Sequence, residues 1–154
     1  MALYYLDTSA LAKRYVREVG SEWVDDICLR QSIVTSALTE VEIASTLARR
    51  GREGVLSTFQ SDNLFRQYQT DEQGYAVVGL SPLVLLDAVE LLMARLPNTH
   101  WRALDALHLA SARTAFAEAA QHGQASANFV TFDRQLALAA RSLGLSVPDS
   151  ENSP

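Results

Sequence analysis

Met1-Ala-Leu-Tyr-Tyr-Leu-Asp-Thr-Ser-Ala-Leu-Ala-Lys-Arg-Tyr-Val-Arg-Glu18 opens the chain, and its reading decides the fold. Residues 3–6 form an apolar run that reads as a buried strand, and Asp7-Thr8-Ser9 carries it straight into helical periodicity. In an open parallel sheet the carboxyl edge of the strands is where ligands bind. Asp7, planted at that edge, is therefore either a helix cap or the first piece of a site. From Ser9 to Glu18, Leu11, Tyr15 and Val19 share one face while Lys13, Arg14 and Arg17 lie elsewhere, which predicts an amphipathic helix ended by Gly20.

Outward from that unit, strand and helix keep alternating. Ser21 caps a second helix, and Ile33-Val34-Thr35 is a short strand. Ser36 to Arg50 is helical, with Ala37, Leu38, Val41, Ala44 and Ala48 on one stripe, Glu42 at its border and Glu40 well away from it. Val55 to Gln69 predicts another helix, with Leu56, Phe59, Leu64, Phe65 and Tyr68 as packing residues. Tyr75 to Leu80 is a strand, and Ser81-Pro82 opens a helix that runs to about Leu96 before Pro97 stops it. Asp87 and Glu90 read as its exposed side. Trp101 to Gln121 is alanine-rich and helical, with Leu104, Leu107, His108, Ala112 and Ala115 at core spacing and Asp105 in its first turns. Asn128 to Phe132 is a fourth strand, and Asp133 stands where the helix Arg134 to Ser142 must begin, repeating the placement of Asp7. Leu145-Ser-Val147 is a candidate fifth, edge strand, and residues 149–154 form a polar, frayed tail. Crossovers between parallel strands pass over a face of the sheet, so the pattern gives an α/β fold in three layers, with a mainly parallel sheet of four to five strands.

Composition sets limits on function. The 154 residues, nearly half of them apolar, suit one domain over residues 1–148. The single cysteine, Cys28, permits no internal disulfide, and the start carries no leader pattern, so a reducing cytoplasm is the expected location. The longest apolar stretch, residues 76–94, is interrupted by Pro82, Asp87 and Glu90, so no membrane span is expected. The net charge of −5 by itself argues against a nucleic-acid binder.

The acidic residues reopen that question. Asp7 and Asp133 could each simply cap a helix, but in a parallel sheet both point out at the same edge, where the helix bearing Asp105 can join them. Asp105 sits between Leu104 and Ala106 in a helix poor in charge and needs a cap, a basic partner or a metal. Carboxylates brought close repel one another, and a cation resolves that. On pattern alone a metal is only one of the three choices for Asp105.

Four blocks carry a resemblance. They are Leu6-Asp-Thr-Ser-Ala-Leu-Ala-Lys-Arg-Tyr15 with Gly20-Ser-Glu22, Thr35-Ser-Ala-Leu-Thr-Glu-Val-Glu42-Ile, Leu104-Asp-Ala-Leu-His-Leu-Ala-Ser-Ala112, and Val130-Thr-Phe-Asp133-Arg with Ala139-Ala and Gly144-Leu. In this order, over residues 3–147, they resemble a PIN domain of the VapC toxin type, with no departure at the four acidic positions. The resemblance implies that Asp7, Glu42, Asp105 and Asp133 form a catalytic cluster binding Mg²⁺ or Mn²⁺. It implies an endoribonuclease, the toxin of a type II toxin–antitoxin system, that hydrolyses RNA phosphodiesters with metal-activated water. It also implies a VapB-like antitoxin partner and a homodimer. Thr8, Ser9 and Thr131 either hydrogen-bond the acids or a phosphate, or serve as caps and turn residues. His108 reads as a packed core histidine, and Glu40 as solvated or facing a partner.

Setting the four clustered acids aside takes the net charge from −5 to −1, which leaves room for RNA. Lys13, Arg14 and Arg17, and Arg49, Arg50 and Arg52, could flank the crevice or be ordinary solvated faces. Of the aromatic residues Tyr4, Tyr15, Trp23, Phe59, Phe65 and Tyr68, any that are exposed could line an antitoxin groove, with core packing the alternative for most. A different reading is a PIN-like module that binds RNA or antitoxin without cutting, against which the intact acids speak. A phosphatase of the haloacid-dehalogenase type would need a second aspartate where Ser9 stands.

Overall fold

Strand β1 (Leu3–Leu6) lies inside the sheet, with β2 (Ser32–Ser36) on one side and β4 (Ala127–Val130) on the other, both parallel to it. The computed structural model describes residues 1–96, 100–124 and 126–149. Tyr5 pairs with Val34 and Phe129, and β3 (Ala76–Val78) adds to β2, giving an all-parallel sheet in the order β3-β2-β1-β4. Alternation along β1 sends Leu3 and Tyr5 to one face and Tyr4 and Leu6 to the other. The first face is covered by α5 (Pro82–Met93), α6 (Ala103–Gln121) and α7 (Arg134–Ser142), where Tyr5, Val84, Leu109, Phe129 and Leu136 make the main core. The second is covered by α1 (Thr8–Leu11) and α2 (Ser21–Arg30), with Leu6, Leu11, Val24 and Val130 buried between. Each fully buried side chain of this size contributes about 1.5–3 kcal/mol against exposure. The three expected layers are present.

A third, smaller core holds the hairpin of α3 (Leu38–Arg52) and α4 (Thr58–Glu72) through Tyr15, Ile43, Leu47 and Tyr68. Here the sequence reading of α3 needs correction. The buried side is Thr39, Ile43 and Leu47, whereas Val41 is 66% exposed and Ala48 is exposed too. The largest apolar side chains won over the alanine stripe, because burial free energy scales with the area removed from water. Glu42 borders either face.

The first helix is also shorter than its periodicity. After α1 the chain tightens into a 3₁₀ turn over Ala12–Arg14 and leaves helical geometry at Tyr15. Lys13 is buried, bound to Glu18 Oε1 and the Val19 carbonyl at 2.9 Å each and lying 4.1 Å over the Phe132 ring. That anchor folds the loop back, so Val19, expected on the apolar face, is 93% exposed. Gly20 starts α2, at a φ of 93°, and does not end a helix before it.

Smaller shifts have local causes. Ser57 and Gln60 form a capping box that starts α4 at Thr58, leaving Val55 outside it and Phe59 71% exposed. Leu104, expected in the core, is exposed. Asp87, expected on the exposed side of α5, is partly buried and pairs with Arg113 at 3.2 Å. Glu40 accepts from Gln69 Nε2 at 3.3 Å. Leu145–Val147 forms no strand: one backbone bond, Phe129 N–H to the Ser146 carbonyl at 2.8 Å, ties it to β4, and Pro148 offers no donor to extend a ladder. Among the described residues the sheet therefore has four strands. Pro97 and the tail from residue 150 lie outside the described residues. No helix among the described residues is long and apolar enough to cross a membrane.

Candidate metal centre

Asp7 continues the β1–β4 ladder, its N–H donating to the Val130 carbonyl at 3.1 Å, so its position is set by the sheet itself. Its side chain is both a cap and a buried acid. Oδ1 accepts from the Ala10 N–H at 2.9 Å and Ser9 Oγ at 2.8 Å, and Oδ2 accepts from Thr131 Oγ1 at 2.6 Å. At 3% exposure, burial pushes its carboxyl above the ordinary aspartate value, against the pull of His108 and these hydrogen bonds.

The other three acids converge from different elements. Glu42, half-buried at the border of α3, accepts from Thr8 Oγ1 and from His108 Nε2, the latter at 2.7 Å, both on Oε2. Burial pushes its carboxyl up, but the hydrogen bonds from His108 and Thr8 outweigh that and hold it below the ordinary glutamate value. Asp105, in the first turn of α6, accepts from the Arg102 N–H at 2.8 Å on Oδ2. Asp133 caps α7, its Oδ1 accepting from the Gln135 and Leu136 N–H groups at 2.8 and 3.0 Å. All four line one cleft of about 720 Å³ at the carboxyl edge of the sheet, together with Arg49, Arg50, Arg102 and His108. A larger cavity of about 810 Å³, beside Tyr4, Trp23 and Asp26, holds none of them.

Among the described residues, no three His, Cys, Asp or Glu side chains are grouped so that they could hold a metal ion as they stand. The donor chemistry nevertheless fits a hard cation. Glu42, Asp105 and Asp133 each commit one oxygen to the chain, and Glu42 Oε1, Asp105 Oδ1 and Asp133 Oδ2 accept no hydrogen bond among the described residues. Carboxylate oxygens with an open face are what Mg²⁺ and Mn²⁺ take.

The family model of the PIN domain matches residues 4–142. The chain belongs to the PIN-domain family. This PIN domain is 32% identical over 151 residues to Ribonuclease VapC35 of Mycobacterium tuberculosis, covering 94% of this chain and 95% of that one. Among solved structures it is similar to FitAcB from Neisseria gonorrhoeae, with a TM-score of 0.67 at 18% identity, covering 97% of this chain and 99% of that one. It is also similar to VapBC-1 from nontypeable Haemophilus influenzae, with a TM-score of 0.62 at 14% identity, covering 97% of this chain and 99% of that one. These two likenesses bear on the fold.

In this PIN domain the two basic clusters part company. Lys13 lines the cleft but is held by Glu18, while Arg14 reaches Asp25, Asp71 and Tyr75 and Arg17 binds Asp25, so the first cluster ties the turn after α1 to its own surroundings. Arg49 and Arg50 face the cleft, while Arg52 lies on a groove between α3 and α4. In the sequence reading Arg102 is passed over and His108 is placed in the core, away from the cleft. Arg102 precedes α6 with its side chain in solvent. His108 is buried at 3% exposure, as a core histidine would be, yet it turns Nε2 toward Glu42. The available signal was its i+3 spacing from Asp105: a helix that aims one residue at a crevice brings the other close.

Proposed function

We propose that this PIN domain is a Mg²⁺- or Mn²⁺-dependent endoribonuclease of VapC type, the toxin of a toxin–antitoxin pair. The observation that carries the reading is the cleft itself. Four carboxylates, from the end of β1, from α3 and α6 and from the cap of α7, line one crevice, and among the described residues three of them have an oxygen that accepts no hydrogen bond. Glu42, Asp105 and Asp133, with Asp7, would hold the ion. When bound, it would supply a Lewis acid that lowers the pKa of a water and offsets charge developing on a phosphodiester. Ser9 and Thr131 hydrogen-bond Asp7, and Thr8 and His108 hydrogen-bond Glu42. Arg49, Arg50 and Arg102, around the same cleft, suit the phosphates of a single-stranded or looped RNA. The ribonuclease name of VapC35 supports the substrate class.

A VapB-like antitoxin and a homodimer complete the proposal. VapBC-1 among the fold neighbours supports the first. For the second, α5 bears exposed Leu83, Leu85, Leu86, Val89 and Met93, a larger apolar face than the single exposed side chains usual on a monomer. Of the aromatic candidates for an antitoxin groove, Tyr15 and Tyr68 are buried and Phe59 alone is fully exposed, beside the α3–α4 groove that Phe65 lines.

The test is a labelled-RNA cleavage assay with a Mn²⁺ titration. Asp7→Asn and Asp105→Ala should each lower the metal-dependent rate by about 100-fold or more, as losses of groups stabilising a transition state do. Cleavage by both variants at the wild-type rate would sink the reading. RNA binding without cleavage by the wild-type chain would point to the silent binding module.

A further inference from the structure

Behind one carboxylate of the cleft runs a buried hydrogen-bond chain. Tyr5, on β1, is fully buried, and its hydroxyl lies 2.8 Å from His108 Nδ1. Its ring stacks on Phe129 at 5.4 Å and meets the His108 ring edge-on at 6.0 Å. His108 Nε2 lies 2.7 Å from Glu42 Oε2 and 3.2 Å from Thr8 Oγ1. A carboxylate only accepts, so Nε2 bears the hydrogen; in the neutral ring Nδ1 is then bare, and the Tyr5 O–H donates to it. A ring in this tautomer offers the cleft no lone pair at Nε2. It offers a fixed donor. Glu42, by contrast, sits at the border of an amphipathic helix, where three side-chain torsions would otherwise leave its carboxylate free to turn.

We propose that His108, anchored by Tyr5, is a positioning residue that grips Glu42 Oε2 and thereby presents Glu42 Oε1 to a divalent cation in the cleft. The inference rests on the metal-dependent reading above and adds two residues that bind neither metal nor RNA. Ligating carboxylates are themselves hydrogen-bonded, and losing such a partner weakens metal affinity by about 10–100-fold.

The experiment measures Mn²⁺ affinity on the full chain by electron paramagnetic resonance of the free ion, with thermal unfolding alongside. His108→Gln places an amide N–H near the position of Nε2, whereas His108→Asn reaches only that of Nδ1. The glutamine variant should stay within about 3-fold of wild type and the asparagine variant should lose about 10-fold or more, at similar melting temperatures. In a Glu42→Gln background the asparagine substitution should cause no further loss. Equal affinities for the two variants, or an additive loss in the Glu42→Gln background, overturn the inference. A wild-type chain that takes up no Mn²⁺ overturns the metal reading and this inference together, whereas wild-type uptake with an indifferent His108→Asn overturns the inference alone. Should both His108 variants unfold, Tyr5→Phe decides, since it keeps the ring and removes only the donor to Nδ1: weakened affinity supports the role, and unchanged affinity overturns it.

Discussion

Two carboxylates that line the same cleft, Asp7 and Glu42, shift in opposite directions, and each shift has a stability consequence. Burial raises the Asp7 carboxyl, so the folded chain holds that proton more tightly than the unfolded chain. The resulting stabilisation is complete below the ordinary aspartate range and is lost as pH rises through the folded value. Asparagine caps a helix as well as aspartate does, so Asp7→Asn keeps the Ala10 bond and removes the buried charge. In EDTA, denaturant unfolding of Asp7→Asn should match wild type near about pH 3 and exceed it at neutral pH. A variant less stable than wild type at neutral pH would contradict this. Glu42 runs the other way: its folded value is lowered, so the stability it contributes is present above the ordinary glutamate range and fades as pH falls through the folded value. Glu42→Gln should therefore destabilise the chain at neutral pH, and the difference should close in acid. Neither direction was legible in the sequence, because both depend on what α6, β4 and α3 bring against the side chain.

At the scale of elements, the segment from Asp7 to Gly20 shows where local pattern was overruled. The heptad-like spacing of Leu11 and Tyr15 survives, since both are buried, but the helix does not continue, because Lys13 turns inward to Glu18, Val19 and Phe132. Gly20 closes that loop against the same ring: a Cβ there would lie 2.5 Å from Phe132 Cε1, and φ is positive. Gly20→Ala should cost about 2 kcal/mol or more, from the left-handed backbone together with the displaced ring. A chain of this size should then melt about 4–8 °C lower by thermal scan. Helix α3 teaches a related lesson. Its alanines share a stripe, but α4 and Tyr15 meet the side that carries Ile43 and Leu47. Helix α7, with Asp133 as cap and Ser142 as last residue, matches its sequence reading, since a cap and a short apolar face are local properties.

For the whole molecule, surface charge and surface apolarity point to different partners. Arg49 faces the cleft, as does the solvent-exposed Arg102, which lies 4.0 Å from Asp105 Oδ2, whereas Lys13 in the same cleft is held by Glu18 and Arg14 and Arg17 are bound up in ion pairs outside it. Replacing Arg49 and Arg102 by Ala should weaken RNA binding and reduce the slope of log affinity against log salt by about 1.4, at about 0.7 per lost phosphate contact on a single strand, measured by fluorescence anisotropy. Arg14→Ala should leave that slope unchanged and lower stability instead, because it removes the partner of Asp25, Asp71 and Tyr75. Light scattering should find Leu86→Glu shifted from dimer to monomer if the exposed face of α5 joins two copies. The sequence alone determined the α/β class, the mainly parallel sheet, and the placing of Asp7 and Asp133 at strand ends, because these follow from hydrophobic period, capping chemistry and the alternation of strands with helices. Only the tertiary structure decided which face of α3 is buried, which basic residues line the cleft, and that the buried His108 also reaches Glu42. Those outcomes depend on contacts between residues tens of positions apart, which compete for the same space and the same hydrogen bonds.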